Sequence, residues 1–298
     1  MKMLIKILLF FSFPVMIISC NNSSKSNEKN TETANLEKNQ GFELVKKWET
    51  DKVLKTPESV CYDPEKEMLY VANIHGKPSE KDGNGFISTL SLSGEILELK
   101  WADSLNAPKG MGISEGFLYV TDISRVAKID RENGRVVRYF EAEGAKFLND
   151  ITVGNDGMIY ISDMSTNKIH KISGEEITVF IDKGHFKNVN GLYFANDTLF
   201  AGQKNCIKAV NPETGDEKDY IMNTGSIDGL EAAGNEFFLF SDWTGHVYIA
   251  SAQHEKKLLL DTSADKINAA DIEFIQGKNL LLVPTFFDNR VMAYEFVK

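Results

Sequence analysis

Six short segments carry a polar or small residue at the entrance to an apolar run. They are TPESVCY (56–62), APKGMGI (107–113), FLNDITV (147–153), NVNGLYF (188–194), SIDGLEA (226–232) and NAADIEF (268–274). Aligned on their centres, they put Glu58, Lys109, Asn149, Asn190, Asp228 and Ala270 in one slot, at intervals of 51, 40, 41, 38 and 42 residues. Four of the six present oxygen, from two carboxylates and two amides. Converging oxygens of that kind suit one hard divalent cation: Ca²⁺ leads, with Mg²⁺, Mn²⁺ or Zn²⁺ as alternatives. A single Asn or Asp at a strand start is an ordinary turn former. Four in one register argue for a shared polar site.

The elements that must position these residues recur at the same period. Each segment is followed by a second apolar run, such as GFLYVTD, GMIYISD or EFFLFSD, then a third, such as RVAKID or HVYIAS. A more polar fourth run, such as GRVVRYF or EEITVFI, often ends the unit. Runs of five or six residues rich in Val, Ile, Tyr and Phe, bounded by Gly, Asn and Asp, read as strands. No capped, 3.6-periodic stretch appears. A repeat near 40 residues holding four strands predicts an all-β, six-bladed β-propeller. Blade 1 carries a polar insertion, HGKPSEKDGNG (75–85), and blade 6 has only three strands of its own. The segment GFELVKKWE (41–49) is expected to supply the fourth, closing the ring and covering an open edge.

In such a ring the six slots surround one mouth of the central channel. Gly110 and Gly112, after Lys109, are expected to widen that channel. Asn73, Asp122, Asp163 and Asp242 end second strands and are expected to anchor the following turns. His75, in the blade 1 insertion, is a candidate cover for the site. His185 lies five residues before the blade 4 slot, and His170, His246 and His254 suggest no role. There is no Gly-x-Ser-x-Gly elbow or phosphate-cradling glycine loop.

The front of the chain is different. Residues 1–19, basic at Lys2 and Lys6 and then apolar, have the layout of a secretory signal. Ile17-Ile18-Ser19-Cys20 resembles a bacterial lipobox, implying cleavage before Cys20, a lipid on its sulfur and an extracytoplasmic, membrane-anchored protein. Residues 20–40, polar and without aromatics, read as a flexible tether. Residues 41–298 are the propeller. With 33 basic against 43 acidic residues, the chain is a poor partner for nucleic acid or anionic lipid, so membrane contact is expected through the lipid alone. Cys61 and Cys206 fall in opposite blades, too far apart for a disulfide, which needs α-carbons within about 7 Å. No Cys/His set has zinc spacing.

The ordered set PES (57–59), FLND (147–150), VNGL (189–192) and IDGL (227–230) resembles the senescence-marker-protein/gluconolactonase family of regucalcin-like six-bladed propellers. The resemblance covers roughly residues 55–298. It implies a divalent cation held by Glu58, Asn190 and Asp228, with Asn149 beside them touching metal or substrate. Asp228 would also be the catalytic acid/base. Family members that open sugar lactones often carry an Arg two residues before the blade 3 Asn; this chain has Phe147. Lys109 would oppose a cation if it pointed inward, or bind a substrate carboxylate. Lys109, Phe147 and Asn149 are therefore the expected substrate-binding residues. The expectation is a monomeric, metal-dependent hydrolase of a small lactone or related ester. The rival is a non-enzymatic, NHL-like propeller that binds a ligand, peptide or protein partner.

Overall fold

The computed structural model describes residues 41–182 and 186–298. The signal, Cys20, the tether and His185 lie outside the described residues. The rest forms six four-stranded antiparallel sheets, each in sequential order from the innermost strand outward. The innermost strands are Pro57–Asp63, Pro108–Ser114, Leu148–Val153, Leu192–Ala195, Leu230–Ala232 and Glu273–Ile275. They pack against one another around the channel. The exception to sequential order is blade 6, where Glu43–Glu49 pairs antiparallel with the last strand, Val291–Val297. Phe42, just ahead of it, meets Phe237 edge to face at 5.0 Å and stacks on Phe296 at 5.4 Å. The expected closure is therefore present, and the first strand fixes the last blade.

Apolar side chains fill the spaces between neighbouring blades. One cluster joins Tyr70, Ile87 and Leu105 of blade 1 to Leu118, Val120 and Ile129 of blade 2. Another joins Leu239 and Val247 of blade 5 to Leu281 and Tyr294 of blade 6. Alternation along each strand sends one set of side chains into each of these two interfaces. Cys61 and Cys206 are both buried and free.

The glycines after the slot do not widen the channel. A Cβ on Gly110 would stand 2.5 Å from the Asn149 carbonyl oxygen and 2.5 Å from the Asp150 α-carbon. A Cβ on Gly112 would meet the Ile151 Cγ2 methyl at 2.8 Å. Gly191 and Gly229 stand equally close to Asp228 O and Ile272 N, at 2.5 and 2.3 Å. These glycines bring one blade's backbone onto the next, which narrows the ring. Gly110→Ala should therefore cost about 1–3 kcal/mol, the range for overpacking. That is a drop of roughly 2–12 °C in Tm for a domain of this size. Gly277→Ala, which meets nothing within 4 Å, should leave the melting curve unchanged. An equal response of the two variants would contradict this account.

Candidate functional site at the channel mouth

The backbone ahead of each slot is held by the residue that ends the second strand. Asn73 accepts the Lys55 amide at 2.9 Å. Asp122 accepts Asn106 and Ala107 at 2.9 and 2.8 Å. Asp163 accepts Lys146 and Phe147 at 2.9 and 3.2 Å, and Gln203 accepts Lys187 at 2.6 Å. In blades 1 to 4 these residues clamp the strand entrance two or three residues before Glu58, Lys109, Asn149 and Asn190. Asp163 also holds the turn that follows it, through Ser165 and Thr166. In blade 5, Asp242 serves only its own turn, accepting Thr244 and His246.

The slot carbonyls are pinned as well. Those of Glu58, Lys109, Asn149 and Ala270 each accept a hydrogen bond from the preceding blade. The donors are Asp271 N (3.0 Å) and the hydroxyls of Ser59, Thr121 and Ser241 (2.6 Å each). With backbone fixed on both sides, the slot side chains have little choice of direction.

They open into one cavity of about 470 Å³, lined by Glu58, Lys109, Asn149, Asn190 and Asp228 together with Phe147. All six expected site residues of the channel mouth thus share one space. Ala270 instead belongs to an apolar floor with Ile74, Ala107, Ile123 and Phe286. His75 does not line the cavity; it is exposed, with Nδ1 3.2 Å from the Asn84 carbonyl. Its neighbours Ile74 and Pro78 supply the wall in that blade.

Lys109 points inward. It is 1% exposed, its Nζ donates to the Ala107 carbonyl at 2.9 Å, and it lies 4.5 Å from the centre of the Phe147 ring. Burial pushes its ammonium down to about 8, against the pull of Glu58 and Asp122. Phe147, where a sugar-binding Arg was the expectation, is the platform for this cation. Opposite, the Asn190 amide donates to Asp228 Oδ1 at 2.6 Å. Burial pushes Asp228 up to about 7, with the Asn190 bond opposing and Asp242 adding to the rise. Burial, and then repulsion from Asp228, also raise Glu58 well above the ordinary carboxyl range.

The residues present fit a hard cation in one respect. Glu58 Oε2 and Asp228 Oδ2 are buried without a hydrogen-bond partner, and a buried carboxylate oxygen left bare is costly. Among the described residues no three His, Cys, Asp or Glu side chains form a group able to hold an ion by themselves. A cation at this mouth therefore depends on the amide oxygens as well.

Two features escaped sequence reasoning. The first is a deeper set of carboxyls, one and three residues after the slot: Asp150, Asp271, Glu231 and Glu273. Burial raises all four, Asp150 and Glu273 to about 7 and the other two well above their usual range. Asp150 accepts the Leu192 amide at 2.5 Å and the Ile151 amide at 2.6 Å. The second is a second register. The residue after Asn73, Asp122, Asp163, Gln203, Asp242 or Thr285 is Ile74, Ile123, Met164, Lys204, Trp243 or Phe286, and all but Ile123 line the cavity. Both signals were periodic in the sequence, at fixed offsets from the slot and from the second-strand ends.

The fold and this mouth define a six-bladed β-propeller with a polar ring set in a partly apolar funnel. No protein-family model matches the chain, nor does any curated protein sequence. Solved structures share the fold. A gluconolactonase from Xanthomonas campestris is 15% identical, with TM-score 0.63, covering 82% of this chain and 87% of its own. An inactive virginiamycin B lyase from Staphylococcus aureus with quinupristin is 15% identical, with TM-score 0.60, covering 85% and 99%. A chain of a nidogen/laminin complex is 16% identical, with TM-score 0.57, covering 70% and 83%. At such identities the likeness establishes the propeller.

The deep carboxyls carry a pH signature. Glu231, pushed up chiefly by burial and next by Glu273, binds its proton more tightly folded than unfolded. Stability is then complete below the unfolded pKa and falls as pH rises toward the raised folded values. In chelator-treated buffer, Tm should fall between pH 6 and pH 8. Glu231→Gln should flatten that slope and raise Tm at pH 8. One pKa unit is about 1.4 kcal/mol, or roughly 3–6 °C here. A variant no more stable than the parent at pH 8 would show that Glu231 is not under this repulsion.

Proposed function

We propose that the propeller hydrolyses a lactone or a related ester at the channel mouth. The carrying observation is the pair of buried, unpartnered oxygens, Glu58 Oε2 and Asp228 Oδ2, on the wall of a cavity that also holds Lys109 and two amides. Glu58, Asn190 and Asp228 would hold a divalent cation, with Ca²⁺ the first choice. Bound there, it would supply Lewis acidity toward a carbonyl oxygen.

The chain's own groups do the rest. Asp228 Oδ1 accepts from Asn190 and would be the oxygen turned to a cation, which leaves Oδ2, bare in the structure, to handle the proton. It takes a proton from water as the water oxygen bonds to the acyl carbon. It returns that proton to the ring oxygen as the acyl C–O bond breaks, releasing a hydroxy acid. No described histidine lines the cavity, so the proton falls to a carboxylate. Lys109, held by Ala107 and Phe147, presents a cation to the carbonyl or to the carboxylate product.

The likeness to a gluconolactonase supports this reading at the level of fold. A second reading, a binding module without turnover, is favoured by Lys109, whose ammonium sits in the ring and opposes a cation. The nidogen/laminin structure is a fold-level precedent for it.

A panel of aldonolactones and aliphatic lactones decides between the two, with added Ca²⁺, Mg²⁺, Mn²⁺ or Zn²⁺ and no-enzyme blanks. The expected result is metal-stimulated opening, abolished by chelation. Asp228→Asn should lose about 10²–10⁴ in rate, the usual worth of general base catalysis, and saturating metal should not restore it. If no lactone opens above the blank with any ion, the lactonase reading loses its support.

We also propose that the protein is exported and held to a membrane by lipid on Cys20; the support is the sequence of residues 1–20 alone. Cells fed a labelled fatty acid should incorporate it into the parent protein and not into Cys20→Ser. Equal labelling of both would remove the anchor from Cys20.

A further inference from the structure

Outside the polar ring, five residues of the second register line the cavity, and four of them are apolar: Ile74, Met164, Trp243 and Phe286, with Lys204 the exception. Blades 5 and 6 build its largest wall. Phe287 follows Phe286, and the rings of Trp243, Phe286 and Phe287 meet edge to face, with centroids 4.8–5.9 Å apart. Trp243 is 39% and Phe287 64% exposed, so both leave aromatic surface open beside the cavity they line.

This wall is held under strain. Trp243 has φ of 56° and Phe286 48°, in the left-handed region that bulky residues avoid. Such conformations persist where the surroundings over-determine them. Here Asn268 Nδ2 donates to the Trp243 carbonyl at 2.9 Å, and Trp243 pairs with Ala269 in an isolated bridge. Phe286 opens a short 3₁₀ turn, Phe286–Asp288, bracketed by paired bonds between Thr285 and Arg290. Asp288 is in turn tied to Lys52 and Arg290. On the far side of the cavity, Phe147 carries the Lys109 ammonium. Asp242, the acid nearest Trp243 in sequence, is committed to Thr244 and His246. The wall of Trp243, Phe286 and Phe287 thus offers aromatic faces, with Asn188, Lys204 and Ser226 supplying polar groups elsewhere around the cavity, whereas the polar ring offers carboxylates, amides and one ammonium.

From this division we infer that the ligand is amphiphilic: a lactone or ester whose carbonyl end enters the polar ring and whose alkyl or aryl body lies on Trp243 and Phe287. The inference deepens the hydrolase reading and rests on it for the carbonyl end; the apolar body stands on the rim alone. A cavity of about 470 Å³ suits such a molecule, since small-molecule sites run from about 300 to 1,000 Å³. A polyhydroxylated sugar lactone laid on Trp243 and Phe287 would bring hydroxyls against rings that cannot satisfy them, which is costly.

Trp243 is also a reporter. Trp48 bonds the Leu92 carbonyl and Trp101 packs on Tyr70, both away from the cavity. In the chain carrying Trp48→Phe and Trp101→Phe, fluorescence reads the rim alone. The probes are γ-lactones with side chains of zero, two, four and six carbons, the matching γ-lactams, which resist opening, and glucono-δ-lactone. Affinity should rise by about fourfold per added methylene, the equivalent of ~0.8 kcal/mol for each buried CH₂. Glucono-δ-lactone should bind no better than the unsubstituted ring. Phe287→Ala, at an exposed position, should keep the parent melting curve and weaken the six-carbon members by about tenfold while leaving the unsubstituted ring unaffected. Affinity that is flat along the series, or tightest for glucono-δ-lactone, overturns the inference. Lactams that bind with the predicted slope while no lactone is opened would sustain it and remove the hydrolase reading. Opening of glucono-δ-lactone as fast as the six-carbon lactone would do the reverse.

Discussion

The carbonyl oxygen of the slot residue is where one blade is tied to the next. At Glu58, Lys109, Asn149 and Ala270 that oxygen takes a hydrogen bond from the blade before it. After Lys109, Asn190 and Asp228 a glycine lets the neighbouring backbone come within a distance that no Cβ would allow. The bond that closes the ring and the bond that aims the side chain are the same. The backbone at this position cannot move without separating two blades, so the side chain it carries is presented to the channel with little freedom. Preorganisation of this kind lowers the cost of binding.

The same convergence concentrates charge. The inner strands and the turns before them converge on a narrow channel, where Glu58, Asp228 and Asp150 are buried and Asp271, Glu231 and Glu273 half-buried, all with raised pKa values. Lys109 is the cation that the slot register itself provides. Protons or a cation must offset the remainder, because desolvated like charges in a low-dielectric space repel strongly. Lys109 has a dual effect. It lowers the cost of ionising Glu58, and it competes for the region that a divalent ion would occupy. Its own desolvation is moderated by the Ala107 carbonyl and the Phe147 face.

The second-strand termini link fold and site in another way. Asn73, Asp122, Asp163 and Gln203 are buried, and each clamps the loop ahead of a slot. The residue immediately after Asn73, Asp163 and Gln203 lines the cavity. One strand end thus serves both the polar ring, through hydrogen bonds to backbone, and the cavity wall, by direct succession in the chain. Blades 5 and 6 depart from the pattern, since Asp242 and Thr285 bond their own turns.

The sequence by itself determined the blade count, the four-strand unit, the closure by residues 43–49 and the slot that holds Glu58, Lys109, Asn149, Asn190 and Asp228. These follow from local alternation and a repeat period, which are written along the chain and need no knowledge of distant contacts. Tertiary structure alone decided the rest. The direction of Lys109, inward on Phe147, depends on packing between blades 2 and 3. Whether Gly110 opens or tightens the channel depends on how near Asn149 comes. His75 reads as a cover from its place in the insertion, yet it turns away while Ile74 and Pro78 form the wall. The meeting of Trp243 with Phe287 joins residues 44 positions apart, and the bond from Asp271 N to the Glu58 carbonyl joins the last blade to the first. Such contacts have no local signal, because they exist only once the blades have packed side by side and the ring has closed.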